Sequence, residues 1–256
     1  MDFRSLSVEA FPRPVKKFMK KFVPVKLIKW RKSRIQNALK NKSNTEIFSS
    51  TYINYRWGKG PREFKLYSGD GSHKPEIIEG YINKVSQFLE SLNGRVTVVD
   101  IGCGDFNVGN QLCKYADTYI ACDVVPAVIQ SNKVRYLQKN VKFEILDAVT
   151  DQIPSGNVVI LRQVLQHLSN KDISLILEKI RYNYHYLVFT DHQPLTPNWN
   201  PNVDKETGPN VRSDFGSGLD LTKAPFDLPI KKAQLMHSVK TDDGNIRTFL
   251  YELSNL

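Results

Sequence analysis

The sequence predicts an α/β protein: a mostly parallel sheet with helices on both faces and an antiparallel hairpin at its C-terminal end. Three observations predict it. Five short apolar runs lie between residues 95 and 190, helical patterns separate them, and two further runs flank a Thr-Asp-Asp-Gly turn near the C-terminus.

Taken in order, residues 1–42 form a basic segment. They carry 13 Lys and Arg against 2 Asp and Glu, whereas the remaining residues carry 23 against 24. The formal charge of +10 therefore belongs to this segment, and the electrically neutral body needs no polyanionic partner. Pro14 can start a helix. Val15, Phe18, Met19, Phe22 and Val23 then share one face, and Lys16, Lys17, Lys20 and Lys21 the other. After Pro24 a second basic stretch carries Leu27, Ile28, Trp30, Ile35 and Leu39. A lysine-faced amphipathic helix with Phe and Trp reads as an interfacial membrane anchor for an anionic surface. Packing on the body and contact with nucleic acid are the two other readings of the same segment. Lysines interrupt any h-region of a secretory signal, and no apolar run approaches the roughly 18 residues of a membrane span.

Residues 43–94 read as an N-terminal cap and helix. Tyr52-Ile-Asn-Tyr-Arg-Trp-Gly58 and Ser68-Gly-Asp-Gly-Ser72 are aromatic and glycine-rich. Ile78, Tyr81, Ile82, Val85, Phe88, Leu89 and Leu92 recur at helical spacing, with Pro75 in the first turn and Gly94 as the stop. From 95 to 256 the alternation sets in. Strands are expected at 95–101, 119–122, 141–146, 158–161 and 186–190, and helices at 108–115, 127–137 and 173–182. The hairpin is expected at 231–240 and 245–253 around Thr241-Asp-Asp-Gly244. Between it and the fifth strand lies a Pro/Asn/Asp/Gly-rich loop, 191–229, whose length marks it as functional or disordered. The three cysteines, Cys103, Cys113 and Cys122, form no CxxC pair, which points to a reducing compartment and no structural metal.

The chemistry centres on Val98-Val-Asp-Ile-Gly-Cys-Gly-Asp-Phe-Asn-Val-Gly109. A strand runs into a turn whose Gly102 and Gly104 allow close approach of a ligand. Such a turn alone also serves nicotinamide and flavin enzymes. Asp100, however, sits inside the end of the strand, two residues before Gly102, where a carboxylate repels a pyrophosphate and suits an ammonium group. Asp123 ends the second strand, where it can accept from both hydroxyls of a ribose. Asp147-Ala148 follows the third strand, in position for an adenine edge.

This set, with Leu161-Arg-Gln-Val-Leu-Gln-His-Leu168 after the fourth strand, resembles the class I methyltransferases dependent on S-adenosylmethionine (SAM). The resemblance covers about residues 96–190 and implies a Rossmann-like, seven-stranded, mostly parallel sheet with an antiparallel C-terminal hairpin. It implies SAM as methyl donor, held by Asp100, Gly102, Cys103, Gly104, Asp123, Asp147, Ala148 and Arg162. Phe106 departs from the pattern, because many members carry a third glycine there. Trp57-Gly58, Ser68–Ser72, Gly218-Leu-Asp-Leu and Pro225-Phe-Asp-Leu-Pro229 are also similar to small methyltransferases of bacterial polysaccharide gene clusters.

The expected function is O-methylation of a glycan, a glycan precursor or another small hydroxyl-bearing acceptor, in the cytoplasm and peripheral to the inner membrane face. A sugar hydroxyl benefits from a general base, and the candidates are His167, Asp191 and His192. Spacing among Asp191, His192, Asp214 and Asp220 specifies no metal site, and none is expected. An RNA methyltransferase using the basic arm is the alternative enzyme, against which the absence of Asn-Pro-Pro-Tyr argues. A SAM-fold binding protein without catalysis is the alternative outside enzymes. Residues 191–229 and Tyr52–Ser72 are expected to close over the acceptor, because methyl transfer requires a dry pocket.

Overall fold

The computed structural model describes residues 38–39 and 41–254. The chain divides into two units, Met1–Asn41 and Lys42–Leu256. The amphipathic pattern expected for 14–37 lies outside the described residues. The helices and strands from Asn44 onward belong to the second unit.

Helix α1 (Asn44–Ile53) has no counterpart in the apolar pattern of the sequence. Its start is a capping box. The Ser43 amide donates to the Glu46 carboxylate at 2.9 Å, and the Glu46 amide donates to Ser43 Oγ at 3.3 Å. Helix α2 (Pro75–Ser91) has Pro75 in its first turn and buries Ile77, Ile78, Tyr81, Val85 and Leu89.

The alternation then proceeds as β1 (Thr97–Ile101), α3 (Gly109–Leu112), β2 (Thr118–Asp123), α4 (Pro126–Arg135), β3 (Val141–Ile145), β4 (Val158–Arg162), α5 (Asn170–Asn183), β5 (Tyr186–Gln193), β6 (Ile230–Lys240) and β7 (Asn245–Leu253). One seven-stranded sheet runs in the order β3-β2-β1-β4-β5-β7-β6. β1 pairs in parallel with β2 and β4, β2 with β3, and β4 with β5. β7 is antiparallel to both β5 and β6. Val98, Val99, Val158, Val159, Leu187, Val188 and Phe189 are fully buried, as in strands covered on both faces. The chain steps outward from β1 through β2 to β3, then returns to place β4 on the other flank of β1. That reversal opens a crevice at the carboxyl ends of β1 and β4.

Three expectations are corrected. The helix expected over 108–115 is the short α3 followed by a 3-10 turn at Cys113–Tyr115. The fifth strand does not stop at Thr190. Its pairing with β7 continues through Asp191↔Arg247, His192↔Ile246 and Gln193↔Asn245, so Asp191 and His192 sit within the strand and not after it. The helix-like run around His167 is a 3-10 turn, Leu165–His167.

The long loop that follows β5 is pinned by buried polar side chains. Arg212 is fully buried and donates to the carbonyls of Leu168, at 2.6 Å, and Val203. Asn202 donates to the carbonyls of Asp220 (2.8 Å) and Ala224 (2.9 Å). Among the described residues, no helix is long and apolar enough to cross a membrane.

Candidate active site

A cavity of about 360 Å³ opens at the carboxyl ends of β1, β2 and β4. The turn after β1 forms its floor. Gly102 and Gly104 have φ of 72° and 57°, and a Cβ would collide with Val164 Cγ2 at the first and with Ser68 Oγ at the second. Both positions therefore strongly favour glycine. Cys103, between them, also lines the cavity, and burial pushes its thiol well above the ordinary range, so it stays protonated.

Three acidic residues expected at the site line the cavity. Asp100 is buried, and its carboxylate accepts from Tyr119 Oη at 2.9 Å. Burial pushes it up to about 6, against the pull of the Tyr119 hydrogen bond and the Arg162 charge. Asp123 accepts from the amides of Gly104 (3.0 Å) and Val125 (2.9 Å), and burial likewise pushes it up to about 6. Asp147 accepts from Asn44 Nδ2 at 3.1 Å on both oxygens and from the Val149 amide at 3.0 Å. Ala148 beside it is held through its carbonyl by Lys179 Nζ at 3.0 Å.

Arg162 ends β4 and reaches across to the loop before α2. Its Nη2 donates to the Gly71 carbonyl at 2.6 Å and its Nη1 to Ser72 Oγ at 3.1 Å. Its guanidinium lies over the Tyr81 ring, 4.9 Å from the centroid. Its Nε is buried and has no hydrogen-bond partner in the protein.

The three residues expected to act on the acceptor separate. His167 lines the cavity inside an aromatic wall, 5.2 Å from the Trp57 ring and 6.3 Å from Phe48. Burial, with the Lys205 charge nearby, pushes it down to about 3, so its imidazole is neutral. His192 also lines the cavity. Asp191, its neighbour on the opposite face of β5, does not belong to the lining. It is fully buried, accepts from the Leu219 amide at 2.8 Å and shares its surroundings with Arg212. The two-residue period of a strand sends adjacent side chains to opposite faces.

Sequence reasoning missed Asn44, Tyr81, Asp105 and Asp243, which all line the cavity. Ser43-Asn-Thr-Glu46 carried a readable capping signal for Asn44. Tyr81 was legible only as part of an apolar helix face. For Asp105 and Asp243 the sequence has no signal, since each acts through a partner distant in the chain. Both segments expected to close over the site contribute to it: Tyr52, Trp57 and Ser68–Ser72 from one, Pro209 and Val211 from the other. Among the described residues, no group of three or more His, Cys, Asp or Glu side chains could hold a metal ion.

No family model and no curated protein matches the chain. Solved structures do match. The N-methyltransferase NodS from Bradyrhizobium japonicum WM9, in complex with S-adenosyl-L-homocysteine (SAH), is similar over 80% of this chain and 100% of its own, at 13% identity and a TM-score of 0.56. The magnesium protoporphyrin IX methyltransferase ChlM from Synechocystis PCC 6803, with bound SAM, is similar over 86% of this chain and 97% of its own, at 14% identity and a TM-score of 0.54. A SAM-dependent methyltransferase from Leishmania major is similar over 80% of this chain and 82% of its own, at 15% identity and a TM-score of 0.53. The chain has the fold of the class I SAM-dependent methyltransferases. Its cavity lies where open α/β sheets bind ligands.

Proposed function

We propose that this chain is a SAM-dependent methyltransferase that methylates a hydroxyl of a glycan or glycan precursor at the cytoplasmic face of the membrane. One observation carries the cofactor reading: a buried carboxylate, Asp100, and a half-buried arginine, Arg162, whose Nε is buried and unpartnered, line the same cavity. A single ligand bearing both an ammonium and a carboxylate satisfies this pair, and the amino-acid end of SAM is such a ligand. A buried donor without a partner is costly, so the Arg162 Nε–H argues for a bound acceptor.

In this reading Asp100 accepts from the ammonium and Arg162 donates to the carboxylate. Gly102, Cys103 and Gly104 let the backbone come close. Asp123 accepts from the ribose hydroxyls, and Asp147 with Ala148 faces the adenine. Bound there, SAM supplies an electrophilic methyl group on a sulfonium sulfur. The protein then has to hold an acceptor oxygen in line with it, exclude water and take up a proton. His192 is the cavity-lining base for that proton. The buried, neutral His167 serves the wall.

Residues 43–94 act as a cap and 95–256 as the methyl-transfer domain, with the loop after β5 and Tyr52–Ser72 closing over the acceptor. Residues 1–42 bring the enzyme to anionic membrane. Their excess of 11 positive charges and the apolar stripe from Val15 to Val23 support this.

The test is isothermal calorimetry with SAM and SAH, followed by transfer from methyl-labelled SAM to separated glycan, lipid and RNA fractions. Binding to wild type and a loss of about 1.5–3 kcal/mol in Asp123→Ala are expected. Absence of SAM binding, or tight NAD binding in its place, overturns the cofactor reading. Label in RNA alone overturns the acceptor reading.

A further inference from the structure

The residue that follows β4 holds a backbone conformation that glycine adopts more easily. Gln163 has a φ of 57°. Its amide donates to the Thr190 carbonyl at 2.9 Å, which carries the β4–β5 pairing one residue past Arg162. The left-handed region is unfavourable for a residue with a Cβ, and strain of this kind gathers at ligand-binding and active sites.

The Gln163 side chain lines the cavity and packs against Gly71. A Cβ on Gly71 would meet Gln163 Oε1 at 2.7 Å and Nε2 at 3.3 Å. Gly71 has no positive φ, so the space that glycine leaves there is the space the carboxamide uses. Arg162 grips the same loop through the Gly71 carbonyl and Ser72 Oγ. Other neutral polar side chains of the lining are engaged within the protein. Asn44 donates to Asp147, Gln166 Oε1 accepts from the His192 amide at 3.2 Å, and Ser68 Oγ accepts from the Asp105 amide. The Gln163 carboxamide makes no hydrogen bond among the described residues. Among those residues, 6 Asp and 1 Arg line the cavity, and no Lys does.

We propose that Gln163 is a specificity-determining residue that holds two neighbouring, uncharged hydroxyls of the acceptor, beside the hydroxyl that is methylated. This rests on the methyl-transfer reading above and narrows the reacting end of the acceptor to an unphosphorylated sugar ring. A carboxamide offers a carbonyl acceptor and an N–H donor side by side. One hydroxyl donates to Oε1, and its neighbour accepts from Nε2. A phosphate offers acceptors only and leaves Oε1 facing like charge, and the acidic lining adds to that repulsion. An ammonium offers donors only and leaves the Nε2 amide group unpaired.

The experiment is saturation-transfer NMR on the full chain loaded with SAH. The probes are the methyl glycosides of glucose, galactose, mannose and rhamnose, with glucose 1-phosphate as the anionic probe. At least one neutral glycoside is expected to bind, and glucose 1-phosphate to bind more weakly. Gln163→Ala should weaken that glycoside by about tenfold, the loss of one or two neutral hydrogen bonds, with SAH affinity unchanged. Gln163→Gly should weaken it equally while melting at or above the wild-type temperature, because it relieves the strain. Gly71→Ala displaces the carboxamide, so adding it to Gln163→Ala should cost no further affinity for the glycoside. Wild type that binds none of these neutral glycosides, or prefers glucose 1-phosphate, overturns the proposal. So does a Gln163→Ala variant that binds the glycoside as wild type does, or one that loses SAH, which would place Gln163 in the cofactor pocket. Failure of wild type to bind SAH overturns the methyl-transfer reading instead, and glycoside binding to the free protein still decides the role of Gln163.

Discussion

Ser68 and Asp105 exchange two hydrogen bonds of 2.8 Å, the backbone amide of each donating to the side chain of the other. They join the loop before α2 to the glycine turn after β1, across 37 residues of sequence. Asp105 Oδ2 also accepts from His73 Nε2 at 2.7 Å, and Asn107 Nδ2 donates to the Ser72 carbonyl at 2.7 Å. The wall of the cavity formed by Ser68–Ser72 is therefore latched to its floor.

Asp105→Ala leaves two donors of that latch without their acceptor. We expect a loss of about 1.5–3 kcal/mol of stability, the range for hydrogen bonds involving a charged group. Hydrogen exchange at residues 66–73 should accelerate, and SAH should bind more weakly. Amides in this segment that exchange at the wild-type rate would show that the latch holds nothing.

If the proposed SAM site is right, Asp100 and Asp123 set the pH dependence of ligand binding. Burial raises both to about 6, so each is protonated in the free fold below that pH. The ionised forms are the ones that accept from an ammonium or from ribose hydroxyls. SAH affinity should therefore fall as pH drops below 6 and level off above 7, as followed by calorimetry from pH 5 to 8.

The same shift makes a stability prediction. Between the ordinary carboxylate value of 3.8 and about 6, the folded state keeps protons that the unfolded chain has released. The contribution of Asp100 to stability thus declines as pH rises through that window and stays reduced above it. Asp100→Asn carries no charge to desolvate and can still accept from Tyr119. It should be more stable than wild type at pH 7, by up to about 2 kcal/mol, with little gain at pH 4. Urea denaturation at the two pH values measures this, and SAH binding should weaken in the same variant. Equal gain at both pH values would mean that the charge is not the cause.

Phe106 adopts a φ of 61°, a region that favours glycine, yet its ring is fully buried among Tyr119, Tyr136 and Phe143. The backbone strain costs about 1–2 kcal/mol, less than the roughly 3–5 kcal/mol typical of losing a buried Phe side chain. Phe106→Gly should therefore destabilise the protein by about 1–4 kcal/mol even though it relieves the strain. A thermal midpoint at or above that of wild type would contradict this balance.

The arm is tested with its charges intact. Replacing Phe18 and Phe22 by Ser should weaken sedimentation with anionic liposomes, because buried apolar area contributes about 25 cal/mol per Å². Binding to RNA on filters should remain near wild type. A serine variant that binds liposomes as well as wild type would mean that these side chains do not enter the membrane.

The sequence by itself determined the order of strands and helices, because periodicity and glycine punctuation are local properties. It also marked Asp100, Asp123 and Asp147, since each lies at or just past the carboxyl end of a strand and every such end reaches the same edge of a parallel sheet. Helix α1 was legible in Ser43-Asn-Thr-Glu46, although its apolar residues follow no clear helical stripe. Only the tertiary structure decided what faces what. Asp191 and His192 are indistinguishable as neighbours in sequence, and they part because pairing with β7 extends the strand beyond Thr190 and sends them to opposite faces. Asp243 reaches His192, and Ser68 reaches Asp105, only after the sheet and the loops have closed. Such contacts depend on residues far apart in the chain, and no local pattern records them.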